Sequence, residues 1–406
     1  MHKESQLILK TMHKTTVFYT RVCILLSFVF WPIIFFLIFL RKNRDKEKTL
    51  EKVRILILPQ LTRIGDIVCT TPIFRAIKEK YPNSHIAVLS SLNAYEIIKN
   101  NPRIDEILII EDWKDNFLGF FRKIQESRFD WGISLSGTAF SSVLFFYGLI
   151  PNRLKITRER RPLAEVFSDW MCGITEKYVT LSYLPIFYLK MLRYLEIYSS
   201  EDKKEVFCHL GLEDRVDTFL KSKQVSPEDR ILGISLTAGN RIKEWGDEKF
   251  ELLSREIHKN YGMKIVFIGS PREKKRIDSL LENLGGSGAF LSAVGFSIEE
   301  LPNLMKRFSY FISVDTGPMH IAHALGVPLV DILGPVNSIE LTPTGRGVVV
   351  VKSPSNIPST IFAFREELSQ DLTRKSMDAI TVGQVVEAFH RLFRRVEGSA
   401  HKGVIV

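Results

Sequence analysis

The sequence predicts an α/β protein in which two parallel-sheet domains follow one apolar N-terminal helix. Two sets of buried-type strands alternate with amphipathic helices, a pattern typical of parallel sheets with helices on both faces. A chain of 406 residues is also too long for one ordinary core, so two domains are expected. The third observation is a run without charged residues at positions 22–40, which is long enough to span a bilayer.

The run at 22–40 is predicted to be a single-pass transmembrane anchor between an N-terminal tail, 1–21, and a basic linker, 41–52. No small-residue cleavage site follows it, which argues against a signal peptide. Residues 1–52 hold ten Lys or Arg against four Asp or Glu, so most of the net charge of +10 lies beside this run and nucleic-acid binding is not indicated. The basic residues at 41–48 favour a cytoplasmic position for the rest of the chain. An interfacial helix that does not cross the membrane is the alternative.

The strand and helix pattern divides the rest of the chain into two domains. The N-terminal domain is predicted at 53–210 and the C-terminal domain at 230–396, with an interdomain linker at 211–229 and a tail at 397–406. Ligands bind at the carboxyl ends of parallel strands, so a site is expected in a cleft between the two domains.

Motifs of several other enzyme classes are absent from the sequence. There is no GxxxxGK[ST] of a P-loop NTPase, no GxGxxG of a dehydrogenase after the first strand, and no GxSxG of a hydrolase. The four cysteines show no CxxC spacing, so neither disulfides nor a zinc site is indicated. His320 and His323 lie three residues apart without an HExxH motif, and no metal site is predicted.

The most informative segment is 309–335, SYFISVDTGPMHIAHALGVPLVDILGP, which predicts a strand, a tight turn, a short helix and a second strand. Pro318 suits the first position of the helix, and Gly326 closes it. The turn at Asp315, Thr316 and Gly317 would direct backbone N–H groups and a hydroxyl to one place, which suits a phosphate. A well-capped βαβ unit without chemistry is the alternative.

Three further loops follow predicted strands. Asp66, after Gly65 in the first loop, suits a general base; an N-cap role is the alternative. Lys243 in the second loop would neutralise the charge of a departing diphosphate. A solvated surface loop is the alternative. Trp245 is expected to anchor this loop in the core. Glu273 in the third loop either accepts hydrogen bonds from a ribose or occupies the first turn of a helix.

Four motifs in this order, RIGDIVCTTPIFRAIKEKYPNSHIAVL, TAGNRIKEW, GSPRE and SVDTGPMHIAHALGVPLVDILGP, resemble glycosyltransferase family 9, the family of the ADP-heptose:lipopolysaccharide heptosyltransferases. The resemblance covers about residues 53–395. It implies a GT-B fold, in which two Rossmann-like parallel-sheet domains face a cleft, together with inversion at the anomeric carbon and no requirement for a metal. The N-terminal apolar helix departs from the soluble members of the family.

The resemblance also implies roles for individual residues. Asp66 and Lys243 match the family's catalytic positions, and no cofactor is expected. Donor-binding roles fall on Thr237, Ala238, Glu273, Phe296, Asp315, Thr316, Gly317 and His320. Glu273 lies further from the loop glycine than is usual in the family. In the basic cluster 153–161, Arg153, Lys155 and Arg158 would bind an anionic acceptor; a solvated basic face is the alternative.

The resulting hypothesis is an enzyme anchored in the inner membrane by a single pass, with its catalytic domains in the cytoplasm. It would move heptose from ADP-heptose to a lipid-linked, anionic lipopolysaccharide core. The first alternative is the same fold using another nucleotide sugar for a different surface glycan. The second is a catalytically silent scaffold of a glycan-assembly complex, which the presence of both Asp66 and Lys243 disfavours.

Overall fold

The structure, a computed structural model, describes residues 2–44, 52–60, 63–111, 116–158, 161–179, 181–286, 288–335, 337–354 and 370–400. Residues 45–51 of the predicted linker and 401–406 of the predicted tail lie outside this description. The chain forms two compact units. Unit 1 comprises Met1–Arg63 and Thr70–Asp202, and unit 2 comprises Ile64–Cys69 and Lys203–Val406.

Unit 1 is built on a parallel sheet that follows a long N-terminal helix, α1, at His2–Arg44. Its strands are β1 Arg54–Leu58, β2 His85–Ser90, β3 Glu106–Ile109, β4 Trp131–Ser134, β5 Asn152–Thr157 and β6 Ile174–Lys177. Its further helices are α2 Ile64–Lys80, whose first turn clusters with unit 2, α3 Leu92–Ile98, α4 Phe117–Glu126, α5 Ala139–Tyr147, α6 Leu163–Phe167 and α7 Leu184–Met191.

The strands of unit 1 lie in the order β3-β2-β1-β4-β5-β6. Right-handed crossovers therefore place α2 and α3 on one face of the sheet, and α4 and α5 on the other. The apolar core under α4 and α5 also includes side chains of α1, among them Ile24 and Ile34.

Unit 2 is built on a second parallel sheet, in the order β12-β11-β10-β7-β8-β9. The strands are β7 Ile231–Ser235, β8 Lys264–Ile268, β9 Phe290–Ser292, β10 Tyr310–Val314, β11 Leu329–Leu333 and β12 Val348–Lys352. The helices are α8 Glu213–Ser222, α9 Asp247–Tyr261, α10 Lys274–Asn283, α11 Leu301–Met305, α12 Gly317–Ala324, α13 Gln370–Asp378 and α14 Val382–Ala400.

The predicted fold class is confirmed, since each unit has the strand order 3-2-1-4-5-6 of a Rossmann-like sheet. The division between the units differs from the predicted one. The region 211–229, expected to be a linker, contains α8, whose Val216 and Leu220 are buried in unit 2. Because these two residues are spaced to face one side of a helix, the segment packs onto unit 2 instead of connecting the domains as a loop.

Helix α1 extends beyond the predicted span of 22–40. Within the described residues, Val17–Asn43 is the one segment that is long and apolar enough to cross a membrane, by length and composition alone.

Candidate active site

Two loops of unit 2 leave the sheet at its topological switch point. Strands β7 and β10 are hydrogen-bonded neighbours, and the chain continues from them in opposite directions, to β8 and to β11. The loops at the carboxyl ends of such a strand pair diverge and leave a crevice in which ligands bind in open α/β sheets. Lys243 follows β7 and Asp315 follows β10, so two predicted site residues lie at this point.

Lys243 and Asp315 form an ion pair across the two loops, with 2.6 Å between Nζ and Oδ2. Lys243 ends a single 3-10 turn, Arg241–Lys243, which begins where the Asn240 side chain accepts a hydrogen bond from the Ile242 N–H. The side chains of Lys243 and Asp315 are 17% and 8% exposed, so part of the Lys243 side chain still reaches solvent. This partial exposure allows it to meet a ligand anion.

The loop that carries Lys243 is held by Trp245, as predicted. Trp245 is fully buried, and its indole Nε1 donates a hydrogen bond of 2.8 Å to the Ile380 carbonyl. Thr237 and Ala238 precede the turn directly after β7; Ala238 is half-buried against the core of unit 2. The loop is therefore anchored at both ends.

Helix α12 begins at the site with the residues that the sequence indicated. Thr316 is its N-cap in an extended conformation, and the Thr316 side chain makes no capping hydrogen bond. The helix begins at Gly317, so Pro318 occupies its second position, one residue later than predicted. The first-turn N–H groups of a helix lack intrahelical partners, and together with the helix dipole they favour an anion.

The first turns of α2 and α12 touch through two glycines. A Cβ atom added to Gly65 would lie 2.6 Å from Cδ2 of His320, and one added to Gly317 would lie 3.0 Å from Cβ of Ile64. Asp66 lies next to this contact, in the first turn of α2, and is 5% exposed. The N-cap of α2 is Arg63, so Asp66 does not serve as the cap.

Gly65→Ala is expected to lower the free energy of unfolding by about 1–3 kcal/mol, the usual cost of an overpacked contact. The methyl group would overlap the His320 ring, which is buried and contacts Lys204 and Cys69. Gly383→Ala is a matched control, because nothing lies within 4 Å of its Cβ position and the residue is helical. Chemical denaturation measures the stability of both variants. Equal unfolding midpoints for Gly65→Ala and wild type would contradict the tight contact.

His320 is a buried, neutral histidine at the centre of this contact. Its Nδ1 lies 3.1 Å from Nζ of Lys204 and 3.6 Å from Sγ of Cys69. An ammonium group only donates hydrogen bonds, so Nδ1 accepts and the ring proton resides on Nε2. Burial lowers the pKa of His320 well below its usual value, and Lys204 lowers this pKa further. His320 therefore presents a neutral N–H donor on the ring edge beside Gly65.

Lys204 is a fully buried residue of this site that the sequence did not indicate. It lies in an ordinary charged run, EDKKEV, and contacts His320, which is 116 positions away in the chain. No local pattern could have identified it. The neighbouring His323 has a different partner, since its Nε2 lies 3.1 Å from the Thr344 carbonyl oxygen.

Asp331 is a second residue that the sequence reading missed. It lies on β11 beside Ser313 of β10 and is completely buried. Neither carboxyl oxygen has a hydrogen-bond partner among the residues that the structure describes. Burial raises the pKa of Asp331 well above its usual value, and the nearby Asp315 raises it further, which favours the neutral carboxyl group. The sequence does contain a signal for Asp331, because it is the one charged residue in the apolar strand LVDIL.

Asp331→Asn is expected to become progressively more stable than wild type as the pH rises from 4 to 8. Above the ordinary Asp pKa, the unfolded chain releases the Asp331 proton and the folded state still holds it. The contribution of this proton to wild-type stability is therefore complete below the ordinary Asp pKa and is lost as the pH rises. Asparagine does not titrate, so the difference in the free energy of unfolding between the variant and wild type grows by at most about 1.4 kcal/mol per pH unit. Denaturation at several pH values tests this, with the exposed Asp278→Asn as control. A difference independent of pH would contradict a neutral Asp331.

Two predicted donor-binding residues have other partners in the structure. The Glu273 carboxylate accepts a hydrogen bond of 2.5 Å from the Ser270 N–H and completes a capping box, which is the helical role the sequence left open. The Phe296 ring packs edge-on against Phe219 at 5.0 Å, and the Arg215 guanidinium lies over it at 5.5 Å.

The basic residues of β5 are structural, which corrects the expectation that they bind an acceptor. Arg153 is 4% exposed and donates to the carbonyls of Met171 and Ile150. Lys155 is fully buried and pairs with Asp169 at 2.9 Å. Strand β5 lies between β4 and β6, and its four central residues, 153–156, are all buried, so the side chains on both of its faces are covered. Only Arg158, beyond the strand, retains 22% exposure, and it pairs with Glu165.

Comparison with known proteins gives a consistent picture. The sequence profile of glycosyltransferase family 9 (heptosyltransferase) matches residues 117–362. Lipopolysaccharide heptosyltransferase 3 of Escherichia coli K12 is 22% identical over 354 residues, which is 83% of this chain and 98% of that protein.

Solved structures share the fold. A family 9 glycosyltransferase from Veillonella parvula superposes with a TM-score of 0.71 at 20% identity, covering 86% of this chain and 99% of that one. The E. coli ADP-heptose lipopolysaccharide heptosyltransferase II superposes with a TM-score of 0.67 at 17% identity, covering 85% and 100%. With the family profile spanning more than half of its length, the chain belongs to glycosyltransferase family 9 and is a glycosyltransferase.

Proposed function

We propose that this enzyme transfers heptose from ADP-heptose to a lipopolysaccharide core acceptor, with inversion and without a metal, at the cytoplasmic face of the membrane. The observation that carries the proposal is the Lys243–Asp315 pair at the switch point, directly before the start of α12. The relatives support the sugar and the acceptor, since two of them are lipopolysaccharide heptosyltransferases and one of these is an ADP-heptose enzyme.

The donor's diphosphate is assigned to the crevice between the loops after β7 and β10. Lys243 supplies a cation at the edge of the crevice, and the first turn of α12 supplies N–H groups and the Thr316 hydroxyl. The neutral His320 adds an N–H donor without adding charge. These groups stabilise the negative charge that develops on the leaving diphosphate, which is where electrostatic catalysis is most effective. Thr237 and Ala238 would line the same crevice from the loop after β7.

Asp66 is assigned the role of general base in a single displacement. The acceptor hydroxyl oxygen attacks the anomeric carbon of the heptose, and the bond from that carbon to the diphosphate oxygen breaks. The hydroxyl proton passes to the Asp66 carboxylate, and ADP leaves with the electron pair. Attack on the side opposite the leaving group inverts the anomeric centre. The low exposure of Asp66, 5%, keeps bulk water from competing for the proton.

The experiment is a transfer assay with a panel of donors. Purified full-length protein is incubated with a Kdo-bearing core acceptor and, separately, with ADP-heptose, ADP-glucose, UDP-N-acetylglucosamine or GDP-mannose, and the acceptor is analysed by mass spectrometry. A gain of one heptose with ADP-heptose alone, unchanged in excess EDTA, is the expected result. Transfer from another nucleotide sugar would replace the donor assignment, and no transfer from any donor would favour a silent scaffold.

A further inference from the structure

One side of α1 is packed along unit 1 for most of the length of its apolar segment. The Tyr19 ring stacks on Phe117 at 5.1 Å, near the beginning of the segment. Near its end, Arg41 donates hydrogen bonds of 2.8 Å and 3.0 Å to the carbonyls of Phe129 and Leu149. These contacts are 22 residues apart, which is about 33 Å of α-helix.

The contacts between these two points are continuous. The Tyr147 hydroxyl donates to the Cys23 carbonyl at 2.8 Å, and Phe35 packs against the rings of Phe146 and Trp170 at 5.5 Å and 6.2 Å. Ser27 is completely buried in this face. A hydrocarbon core is about 30 Å thick, so the whole length that would be needed to cross it lies against a folded domain. Crossing would require α1 to detach.

Detachment would be costly, because the surface under α1 is apolar. Phe146 is fully buried, and eight of the nine residues of α5 are buried. Exposing a large apolar side chain to water costs about 1.5–3 kcal/mol each. The carbonyls that Arg41 now satisfies would also lose their donor.

The opposite side of α1 is apolar and exposed. Several of its large side chains there are between 59% and 68% exposed, namely Leu25, Val29, Ile33, Phe36 and Phe39. The short helix α6, which contacts α1, adds Leu163 at 72% and Phe167 at 55% exposure. A continuous apolar face of this extent is not stable in water and marks a partner surface or a lipid.

The charges around this face favour a lipid headgroup layer. Arg21 and Lys42 are exposed at the two ends of the apolar stretch. Residues 1–21 hold four basic residues and one acidic residue, and residues 41–52 hold six and three, so each flank carries a surplus of three positive charges. Positive charge at both ends attracts a helix that lies in the plane of an anionic membrane.

We propose that α1 lies in the plane of the membrane: its inner side stays packed on unit 1, and its outer side, extended by α6, is immersed in the interfacial layer of an anionic bilayer. Both ends of α1 are then on the cytoplasmic side. The proposal is independent of the sugar that the enzyme transfers. It makes the opposite topological prediction to the single-pass anchor expected from the sequence.

The test uses the full-length protein with Cys208 replaced by Ser and one cysteine introduced at a time. Ser5→Cys and Leu92→Cys are exposed to a membrane-impermeant maleimide in sealed right-side-out and inverted vesicles from cells. Labelling of both cysteines only in inverted vesicles is expected. Labelling of Ser5→Cys only in right-side-out vesicles, or of either cysteine in both preparations, would overturn the proposal.

A second measurement places α6 relative to the lipid. Leu163→Cys and, as a matched control, Leu92→Cys carry a polarity-sensitive fluorophore in protein reconstituted into phosphatidylethanolamine–phosphatidylglycerol vesicles. Leu92 is 56% exposed on α3, which lies on the opposite face of the sheet from α5. A blue-shifted emission that nitroxide lipids quench is expected at position 163 and not at 92. A water-like, unquenched signal at 163 would overturn the proposal by itself.

Discussion

Asp66→Asn is expected to reduce turnover by about 10²–10⁴-fold, the usual contribution of a positioned general base. The amide has nearly the same shape as the carboxylate but does not accept the acceptor's proton. Asp66 is 5% exposed and next to the tight contact between α2 and α12, so an isosteric change should leave that contact intact. The dissociation constant for the donor should change little, because the diphosphate is assigned to Lys243 and α12.

Steady-state transfer rates and donor titration calorimetry measure these two quantities. Asp66→Glu is the control: it keeps the base but displaces it, and partial activity is expected. If Asp66→Asn turned over like wild type, Asp66 would not be the base. If Asp66→Asn and Asp66→Glu lost donor binding together with turnover, the residue would have a structural role.

Lys243→Met is expected to give the second largest loss, about 10²–10³-fold in turnover with weaker donor binding. Removing the ammonium group takes away the cation assigned to the leaving diphosphate. The same change leaves Asp315 without its partner at 2.6 Å, in a side chain that is only 8% exposed. Loss of one member of a buried pair destabilises the fold by itself, so a single variant does not separate the two effects.

The double variant Lys243→Met with Asp315→Asn separates them. Asparagine removes the unpaired charge, so the free energy of unfolding should return towards the wild-type value while turnover stays low. Lys243→Arg keeps a cation and should retain part of the activity. Recovery of full turnover in the double variant would show that Lys243 only balances Asp315.

The sequence predicted most of the fold and the centre of the site, because both depend on local patterns. Strand and helix periods identified the two sheets, and Lys243, Asp315 and Asp66 were recognisable as polar residues in the segments that follow buried strands. The strand order then brings Lys243 and Asp315 together without further information, since β7 and β10 are neighbours.

Other site residues depend on contacts that no local pattern encodes. Lys204 contacts His320 only because the segment of unit 2 that begins at Lys203 packs against α12. Arg153 and Lys155 formed a basic cluster in the sequence, but both faces of β5 are buried in the structure, and these side chains bind internal partners. For α1, the sequence predicted a long apolar helix. The side of α1 that is packed depends on a surface of unit 1 that only the structure shows.

The anomeric configuration of the transferred sugar tests the central claim most directly, namely that Asp66 and Lys243 support a single displacement on a nucleotide sugar. Proton NMR of the glycan made from ADP-heptose by the wild-type enzyme reads this configuration. We expect the configuration opposite to that of the donor. Retention of the donor's configuration would contradict the account, since it requires a mechanism in which Asp66 is not simply the base.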